Sequence, residues 1–244
     1  MSHAPSLRSD SAELAFTPAR IAAGLRALDG PRRRHASRAA GTLIDCLRSF
    51  VRAGQVPLAV AVGDSAAPQT WEHYQPVAAS ALDGTPGTLH YYYHAHASPG
   101  AAPDEHGHFH LFAQLGKDAA GVARYTHLLA IGVDARGMPC RLLTTNRWVT
   151  GETWMSASRV LAIIEKLATA FYDTDDVMER WPRAQLGVFA PQISKLLRHR
   201  DQRMSARQRS GRRPGLFEDR RMHVISQCPV SVDQQLSALD AVDR

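Results

Sequence analysis

The sequence predicts an α+β fold, in which an antiparallel β-sheet of about five strands is flanked by N-terminal and C-terminal helices. Apolar residues recur at helical spacing near both ends of the chain, whereas short segments of β-strand character fill the middle. The chain has 244 residues, of which 44% are hydrophobic, so it is long enough to bury a sizeable core. We expect N-terminal helices over residues 1–55 to pack on a His-rich sheet with C-terminal helices over residues 56–244, together forming one domain.

The N-terminal region is predicted to be helical. Residues 11–28 are rich in Ala and Leu, and apolar side chains between Ala36 and Val51 form one stripe at helical spacing. Between these segments, Asp29-Gly30-Pro31 predicts a break, because proline suits the first turn of a new helix. Gly54 is placed to end that second helix.

The middle of the chain is predicted to form an antiparallel meander. Four segments have the character of strands: 88–96, 106–115, 125–133 and 139–145. The last two are joined by Asp134-Ala135-Arg136-Gly137, which favours a hairpin turn. A short, apolar and β-branched stretch at 57–62 precedes the meander, and residues 63–87 hold several turn-forming residues.

Helical spacing returns after Trp154. Three further elements are expected there: helices over 161–171 and 186–197, and a strand over 222–227. Pro191 either interrupts or starts the second of these helices. Residues 203–215 are predicted to form a loop, and Ser231 is predicted to cap a final helix.

Six histidines lie between Leu89 and Leu111, and they alternate with other residues. Side chains alternate between the two faces of a strand, so each of two rows shares one face: His90, Tyr92, His94 and His96, and then His106, His108 and His110. If the two strands pair as a hairpin across 97–105, His94 lies opposite His108 and His96 lies opposite His106. Opposed residues of an antiparallel pair project to the same side, so the rings would converge.

The converging rings predict a transition-metal site. Crowded imidazoles repel one another when protonated and lack partners when buried, and a metal ion removes both costs. All-histidine ligation suits Zn, Cu, Fe or Ni and argues against Mg or Ca, and an Fe, Cu or Zn ion is expected here. The favoured ligands are His94, His96 and His108, with His106 and His110 as further candidates. The alternatives are a pH-responsive patch and core histidines that only form hydrogen bonds.

Other polar residues are candidates for supporting roles. Glu105 and Glu72 could be ligands, partners that orient a histidine, or general bases, or they could be solvated turn residues. Tyr92 shares the imidazole face and could position a substrate or simply pack. Asn146 and Arg147 could bind an anionic substrate, or could belong to a loop that only packs and caps. His127, on the third strand, could reach the same pocket but is interpreted as an ordinary strand histidine.

Four motifs of the chain are similar to those of a bacterial family described as a domain of unknown function. They are W-E-H-Y (71–74), Y-Y-Y-H-A-H (91–96), E-H-G-H-F-H (105–110) and T-T-N-R-W-V-T-G-E-T-W (144–154). The resemblance covers about residues 56–235, and Gln75 looks like an insertion before Pro76. It groups the four motifs together and implies no activity, cofactor or mechanism.

The net charge of +6 is concentrated in one segment. Residues 198–221 contain nine arginines and three acidic residues, so the rest of the chain is neutral overall. The segment lacks interleaved aromatic residues and a recognition motif, which argues against nucleic acid as the partner. No apolar run approaches a membrane span and the start lacks a signal-peptide pattern. Three widely spaced cysteines favour a reducing compartment, so we expect a cytoplasmic protein.

Together these features predict a metal-dependent enzyme that acts on a small-molecule substrate. A non-haem iron or copper oxidoreductase is favoured, because histidine-only sites on sheets can leave adjacent coordination positions open. A zinc-dependent hydrolase, in which the ion lowers the pKa of bound water, is the first alternative. A metal-binding or sensing module without catalysis is the second.

Overall fold

The computed structural model describes residues 14–63, 73–74, 86–95, 103–169, 174–210 and 215–244, with only the backbone described at 73–74. Within those residues it contains eight α-helices and one six-stranded antiparallel sheet, whose strands are ordered as they occur along the chain. The predicted α+β class, with helices at both ends of the chain, is confirmed. None of the helices in this described part of the chain is long and apolar enough to span a membrane.

Among the described residues, three α-helices precede the first five strands in chain order, four separate the fifth strand from the sixth, and one follows the sixth strand. The first three α-helices are α1 (Pro18–Arg26), α2 (Gly30–Arg52) and α3 (Pro57–Val62). The strands are β1 (His73–Tyr74), β2 (Leu89–His94), β3 (Gly107–Lys117), β4 (Ala123–Val133), β5 (Pro139–Thr145) and β6 (Val224–Pro229). Between β5 and β6 lie α4 (Arg147–Thr150), α5 (Ala157–Thr169), α6 (Val177–Val188) and α7 (Ala190–Arg209), and α8 (Val232–Asp243) follows β6.

Helix starts follow local sequence signals. Asp29 caps α2, because its Oδ1 accepts a hydrogen bond from the Arg32 backbone N at 2.9 Å, and Pro31 lies in the first turn. Ser231 caps α8 through a hydrogen bond from the Gln234 backbone N. Both predicted helix starts are therefore confirmed.

The predicted hairpin between β4 and β5 is also confirmed. Asp134 Oδ1 accepts hydrogen bonds from the backbone N of Arg136 and of Met138, both at 2.9 Å. Gly137 has a φ of 89°, a conformation that glycine adopts without steric cost. The turn sets the start of the β4–β5 register.

One face of the sheet packs on helices and forms the core. The Phe109 ring on β3 lies 5.3 Å from the Trp181 ring on α6, in an edge-to-face arrangement. Tyr91 on β2 donates a hydrogen bond to the Met178 carbonyl at the start of α6. All four side chains are buried, so this apolar face of β2 and β3 is closed by α6.

The N-terminal helices pack on the same side of the molecule. A Cβ on Gly187 of α6 would lie 2.6 Å from the Ala39 Cβ of α2, so the two helices approach closely there. Arg32 on α2 pairs with Glu165 on α5 at 3.0 Å. The N-terminal helix α2 is thus in direct contact with helices that lie between β5 and β6 in the chain.

Two segments differ from the simple sequence patterns. The predicted loop at 203–215 is wrong over its first half, because α7 continues to Arg209. The helix is held there by buried Met204 and by a hydrogen bond from Arg203 Nη1 to the Ile225 carbonyl. Residues 57–62 form the short helix α3 despite their β-branched residues, with Pro57 at the first turn.

Candidate metal centre

The pairing of β2 with β3 determines where the histidine rows meet. His94 lies opposite His108, and Tyr92 lies opposite His110. The predicted register is therefore confirmed for the pair His94 and His108. His96, predicted to face His106, lies outside the described residues.

Three imidazoles come together on the face of the sheet that is opposite α6. Each of His94, His108 and His110 offers one ring nitrogen, and these three atoms all lie within 4.8 Å of one another. The His108 and His110 side chains are each only 1% exposed, and His94 is half-buried. We call these residues the histidine triad. It contains two of the three favoured ligands, together with His110, which the sequence had suggested as a further candidate.

His106 does not join the triad. Its Nδ1 forms a 2.7 Å hydrogen bond with the Tyr93 hydroxyl, and the two rings are nearly parallel. β3 begins only at Gly107, where a Cβ would overlap the Tyr93 hydroxyl. Because Gly107 has no side chain, Tyr93 can reach across to His106. The second row at the site therefore contains His108 and His110 but not His106.

His127 on β4 contacts the triad from the side. Its Nε2 lies 3.0 Å from His110 Nδ1, and its Nδ1 lies 3.4 Å from Thr145 Oγ1. A β-bulge in the β3–β4 register places Phe112 opposite His127, and so brings His127 to the imidazole face. The sequence interpretation of His127 as an ordinary strand histidine missed this contact, because the sequence carries no clear signal for a bulge.

Burial keeps the two linked histidines neutral. Burial lowers the pKa of His110 well below its usual value, and the neighbouring imidazoles of the triad and of His127 lower it further. Burial, with a smaller effect from Arg200, lowers the pKa of His127 to about 3. A neutral imidazole is the form that binds a metal ion, so His110 is in a ligand-competent protonation state at neutral pH.

Glu105 lies behind His108 and is held by an arginine. Arg141 Nε and Nη2 donate hydrogen bonds to the two Glu105 carboxylate oxygens at 2.6 and 2.5 Å, and both side chains are buried. Glu105 Oε1 lies 4.0 Å from His108 Nδ1. A Cβ on Gly132 would lie 2.6 Å from Glu105 Oε2, so glycine makes room for the carboxylate. The hydrogen bonds of Glu105 shown here go to Arg141, and 4.0 Å exceeds hydrogen-bond length, so an orienting role for Glu105 toward His108 stays a prediction.

Tyr92 forms an aromatic wall beside the triad. Its ring centre lies 4.8 Å from that of His94 and 5.3 Å from that of His110, and it stacks on Phe112. Burial raises the pKa of its hydroxyl, with a smaller effect from Tyr125. Tyr92 is therefore a neutral phenol next to the triad.

Glu152, a buried carboxylate that was not among the predicted site residues, binds the β4 backbone at His127. Glu152 Oε2 accepts hydrogen bonds from the His127 backbone N at 2.7 Å and from Thr126 Oγ1 at 3.1 Å. Burial raises the pKa of Glu152 to about 7, although these hydrogen bonds and Arg200 oppose the shift. Glu152 lies within the motif at 144–154, and this position was the sequence signal that could have identified it.

Asn146 and Arg147, which were predicted to bind substrate, form contacts with the segment Leu216–Glu218. Asn146 is fully buried, accepts a hydrogen bond from the Arg147 backbone N and donates one to the Leu216 carbonyl at 3.0 Å. Arg147 forms an ion pair with Glu218. Both side chains fasten the 3-10 turn at Leu216–Glu218 to the end of β5. Glu72 lies outside the described residues.

The chain is an α+β protein with a three-histidine candidate metal site on its sheet. It belongs to the family described as Domain of unknown function (DUF6969), whose model matches residues 37–230. The resemblance to a domain of unknown function, argued from the four motifs, is thereby confirmed. No curated protein and no solved structure matches the chain.

Proposed function

We propose that this protein is a metal-dependent enzyme whose ion is held by His94, His108 and His110. The observation that carries the proposal is that one nitrogen from each ring lies within 4.8 Å of the others. Nitrogen ligands of a tetrahedral ion at 2.0–2.1 Å lie about 3.3 Å apart, so each pair needs to approach by at most about 1.5 Å. Rotation of the rings on a fixed strand register supplies a shift of that size.

The ligand type limits the choice of ion. Among the described residues, the group contains neither a thiolate nor a carboxylate, and three neutral imidazoles suit Fe, Cu or Zn. Three protein ligands leave coordination positions for water, dioxygen or substrate, as in catalytic rather than structural sites. Tyr92 and Phe112 supply an aromatic wall suited to a small organic substrate.

Within this class we favour an iron or copper oxidoreductase. Glu105 is bound on both oxygens by Arg141, and Glu152 accepts the His127 backbone N. These two carboxylates are therefore engaged, whereas a hydrolytic site commonly uses a nearby carboxylate as general base. A redox ion beside an aromatic wall does not require such a base.

A zinc-dependent hydrolase remains the second candidate, and one feature favours it. The triad is electrically neutral, and Glu105 is neutralised by Arg141 rather than shared with the ion. The full charge of a bound dication would then act on its water and lower the pKa of that water to about 7. A metal-binding module without catalysis is the third candidate, and it requires that further protein ligands fill the remaining positions.

Elemental analysis of the purified full-length protein tests the proposal. We expect about one Fe, Cu or Zn ion per chain in the wild type, and loss of the ion in His94→Ala and His110→Ala. His199→Ala, which changes a histidine on α7, is the matched control and should retain the ion. Equal metal content in all four proteins, or no ion in any of them after loading, would contradict the site.

Oxygen consumption then distinguishes the candidates. Protein loaded with Fe(II) or Cu that consumes oxygen in the presence of small phenols or acids supports the favoured reading. Protein that is active only with zinc, and that hydrolyses activated esters without oxygen uptake, supports the hydrolase. Stoichiometric binding without either activity, and with no exchangeable water on the ion, supports the non-catalytic module.

A further inference from the structure

Strand β1 contains a histidine, His73, and the register of the strand places this residue beside the histidine triad. β1 pairs with β2 in antiparallel orientation, with His73 opposite His94 and Tyr74 opposite Tyr93. Directly opposed residues of an antiparallel pair lie on the same face of the sheet, and their Cβ atoms are about 4.5–5.5 Å apart. His73 therefore occupies a position on the imidazole face, next to one member of the triad.

The same cross-strand row continues through the site. His94 lies opposite His108 on β3, and His108 lies opposite Gly132 on β4. The backbone register thus places histidines at neighbouring positions on β1, β2 and β3. His73 and His108 are equivalent in this respect, because each is a direct antiparallel partner of His94. The row ends at Gly132, which has no side chain, so the further ligand that this row can supply comes from β1.

The burial of the triad indicates the same side. His108 and His110, on β3, are each 1% exposed, whereas His94, on β2, is only half-buried. In the strand order β2 lies between β1 and β3. The less enclosed side of the triad is therefore the side on which β1 runs, and a ligand from β1 approaches the ion from there.

We propose that His73 is a fourth protein ligand of the ion held by the histidine triad, because the register places it directly opposite His94 on the imidazole face. This inference rests on the proposed function and deepens it, because the number of protein ligands limits the reaction. It also gives a role to the W-E-H-Y motif at 71–74, which contains His73.

A fourth imidazole has different consequences for the candidate ions. Four protein ligands complete the tetrahedral shell of a zinc ion and leave no position for water, as in structural zinc sites. Iron in octahedral geometry, or copper in tetragonal geometry, keeps a position open for dioxygen or substrate. A site that includes His73 is therefore closed with zinc and open with iron or copper, which agrees with the favoured oxidoreductase.

X-ray absorption spectroscopy of the full-length protein loaded with Zn²⁺ alone counts the imidazoles on the ion. We expect about four imidazoles in the wild type and about three, with a water in the vacated position, in His73→Ala. The Zn²⁺ affinity of His73→Ala should fall by at least about 10–100-fold, which is the loss caused by removing even an outer partner of a ligand. About three imidazoles in the wild type, or the same number in both proteins, would overturn the inference.

Tyr74→Phe is the matched control. Tyr74 is the other residue of β1, and its register position opposite Tyr93 belongs to the other face of the sheet. Backbone groups make the strand pairing, so this substitution keeps β1 in place and removes no imidazole. The imidazole count and the Zn²⁺ affinity should stay at the wild-type values. An equal loss in Tyr74→Phe and His73→Ala would contradict the assignment of His73 as a ligand.

The proposed function and this inference fail in distinguishable ways. If the wild type takes up no ion, or if His94→Ala and His110→Ala keep it, the triad is not a metal site. If these two variants lose the ion while His73→Ala keeps the wild-type imidazole count, the metal site stands and His73 is not a ligand. If His73→Ala does not fold, the imidazole count of the wild type alone decides.

Discussion

The two faces of β2 and β3 are built from alternate residues of the same segments, yet they are stabilised in different ways. On one face Tyr91 and Phe109 pack against α6, and burial of apolar area holds them there. On the other face His108 and His110 are buried just as deeply, and specific polar partners surround them. Equal burial therefore has opposite effects on the free energy of folding. Burial of the apolar rings is favourable by itself, whereas burial of imidazoles is costly without such partners.

The largest effect should come from the apolar face. Phe109→Ala removes a fully buried ring that contacts Trp181 and Tyr93, so we expect the free energy of unfolding to fall by about 3–5 kcal/mol. Urea denaturation followed by circular dichroism measures this loss. The protein that remains folded should retain its metal content, and a loss below about 1 kcal/mol would show that this face is not the core.

The second prediction concerns pH on the imidazole face. In the folded protein the Glu152 pKa is raised from 4.5 to about 7, so between these values the folded state keeps a proton that the unfolded state releases. The contribution of Glu152 to the free energy of unfolding is therefore fully present below about pH 4.5 and is lost as the pH rises to about 7. Relative to Glu152→Gln, the wild type should lose about 3 kcal/mol of unfolding free energy across that window.

The difference in unfolding free energy between wild type and Glu152→Gln isolates the contribution of Glu152. His110 and His127 have lowered pKa values and contribute the opposite slope, but they do so in both proteins. Denaturant titrations of the metal-free proteins at a series of pH values measure the difference. Parallel curves for wild type and Glu152→Gln would refute the raised pKa.

The third prediction tests how tightly the polar partners are packed. Gly132→Ala places a methyl group 2.6 Å from the Glu105 carboxylate, which must shift away from Arg141 or His108. We expect a loss of about 1–3 kcal/mol in unfolding free energy, with weaker metal binding. Gly41→Ala is the control, because open space surrounds Gly41 on the exposed side of α2 and alanine favours helix there. Equal stability of the two variants would count against the buried pair.

The smallest loss of stability should come from a substitution at Asn146, which lies outside both faces of β2 and β3. Asn146→Ala removes the cap of α4 and the bond to the Leu216 carbonyl, so we expect a loss of about 1 kcal/mol. Thermal unfolding measures the loss, and metal content and substrate affinity should stay at the wild-type level. A selective loss of substrate binding would instead restore the substrate role that the sequence suggested for Asn146.

Much of the site could be predicted because strand alternation is a local rule. The parity of His94, His108 and His110 places them on one face, and the register that joins His94 with His108 follows from pairing across the intervening loop. Helix caps such as Asp29 and Ser231 are equally local, since the side chain bonds a backbone group a few residues away.

The supporting partners could not be predicted in the same way. His127 reaches His110 only because a β-bulge shifts the β3–β4 register, and Arg141 reaches Glu105 only across β4 at Gly132. His106 leaves its row because Tyr93 occupies the space beside Gly107. Each of these contacts joins segments that are distant in sequence or depends on a local irregularity of a strand.

The sequence by itself determined the class of fold, the alternation of the strands and the residue types that make a metal site chemically reasonable. Those properties depend on short-range backbone geometry, which a stretch of a few residues specifies. The tertiary structure alone decided which three histidines meet, that His127 contacts one of them and which carboxylates are engaged. Hydrogen bonds between buried groups are decided by ångström-scale distances between strands, and only the folded sheet sets those distances.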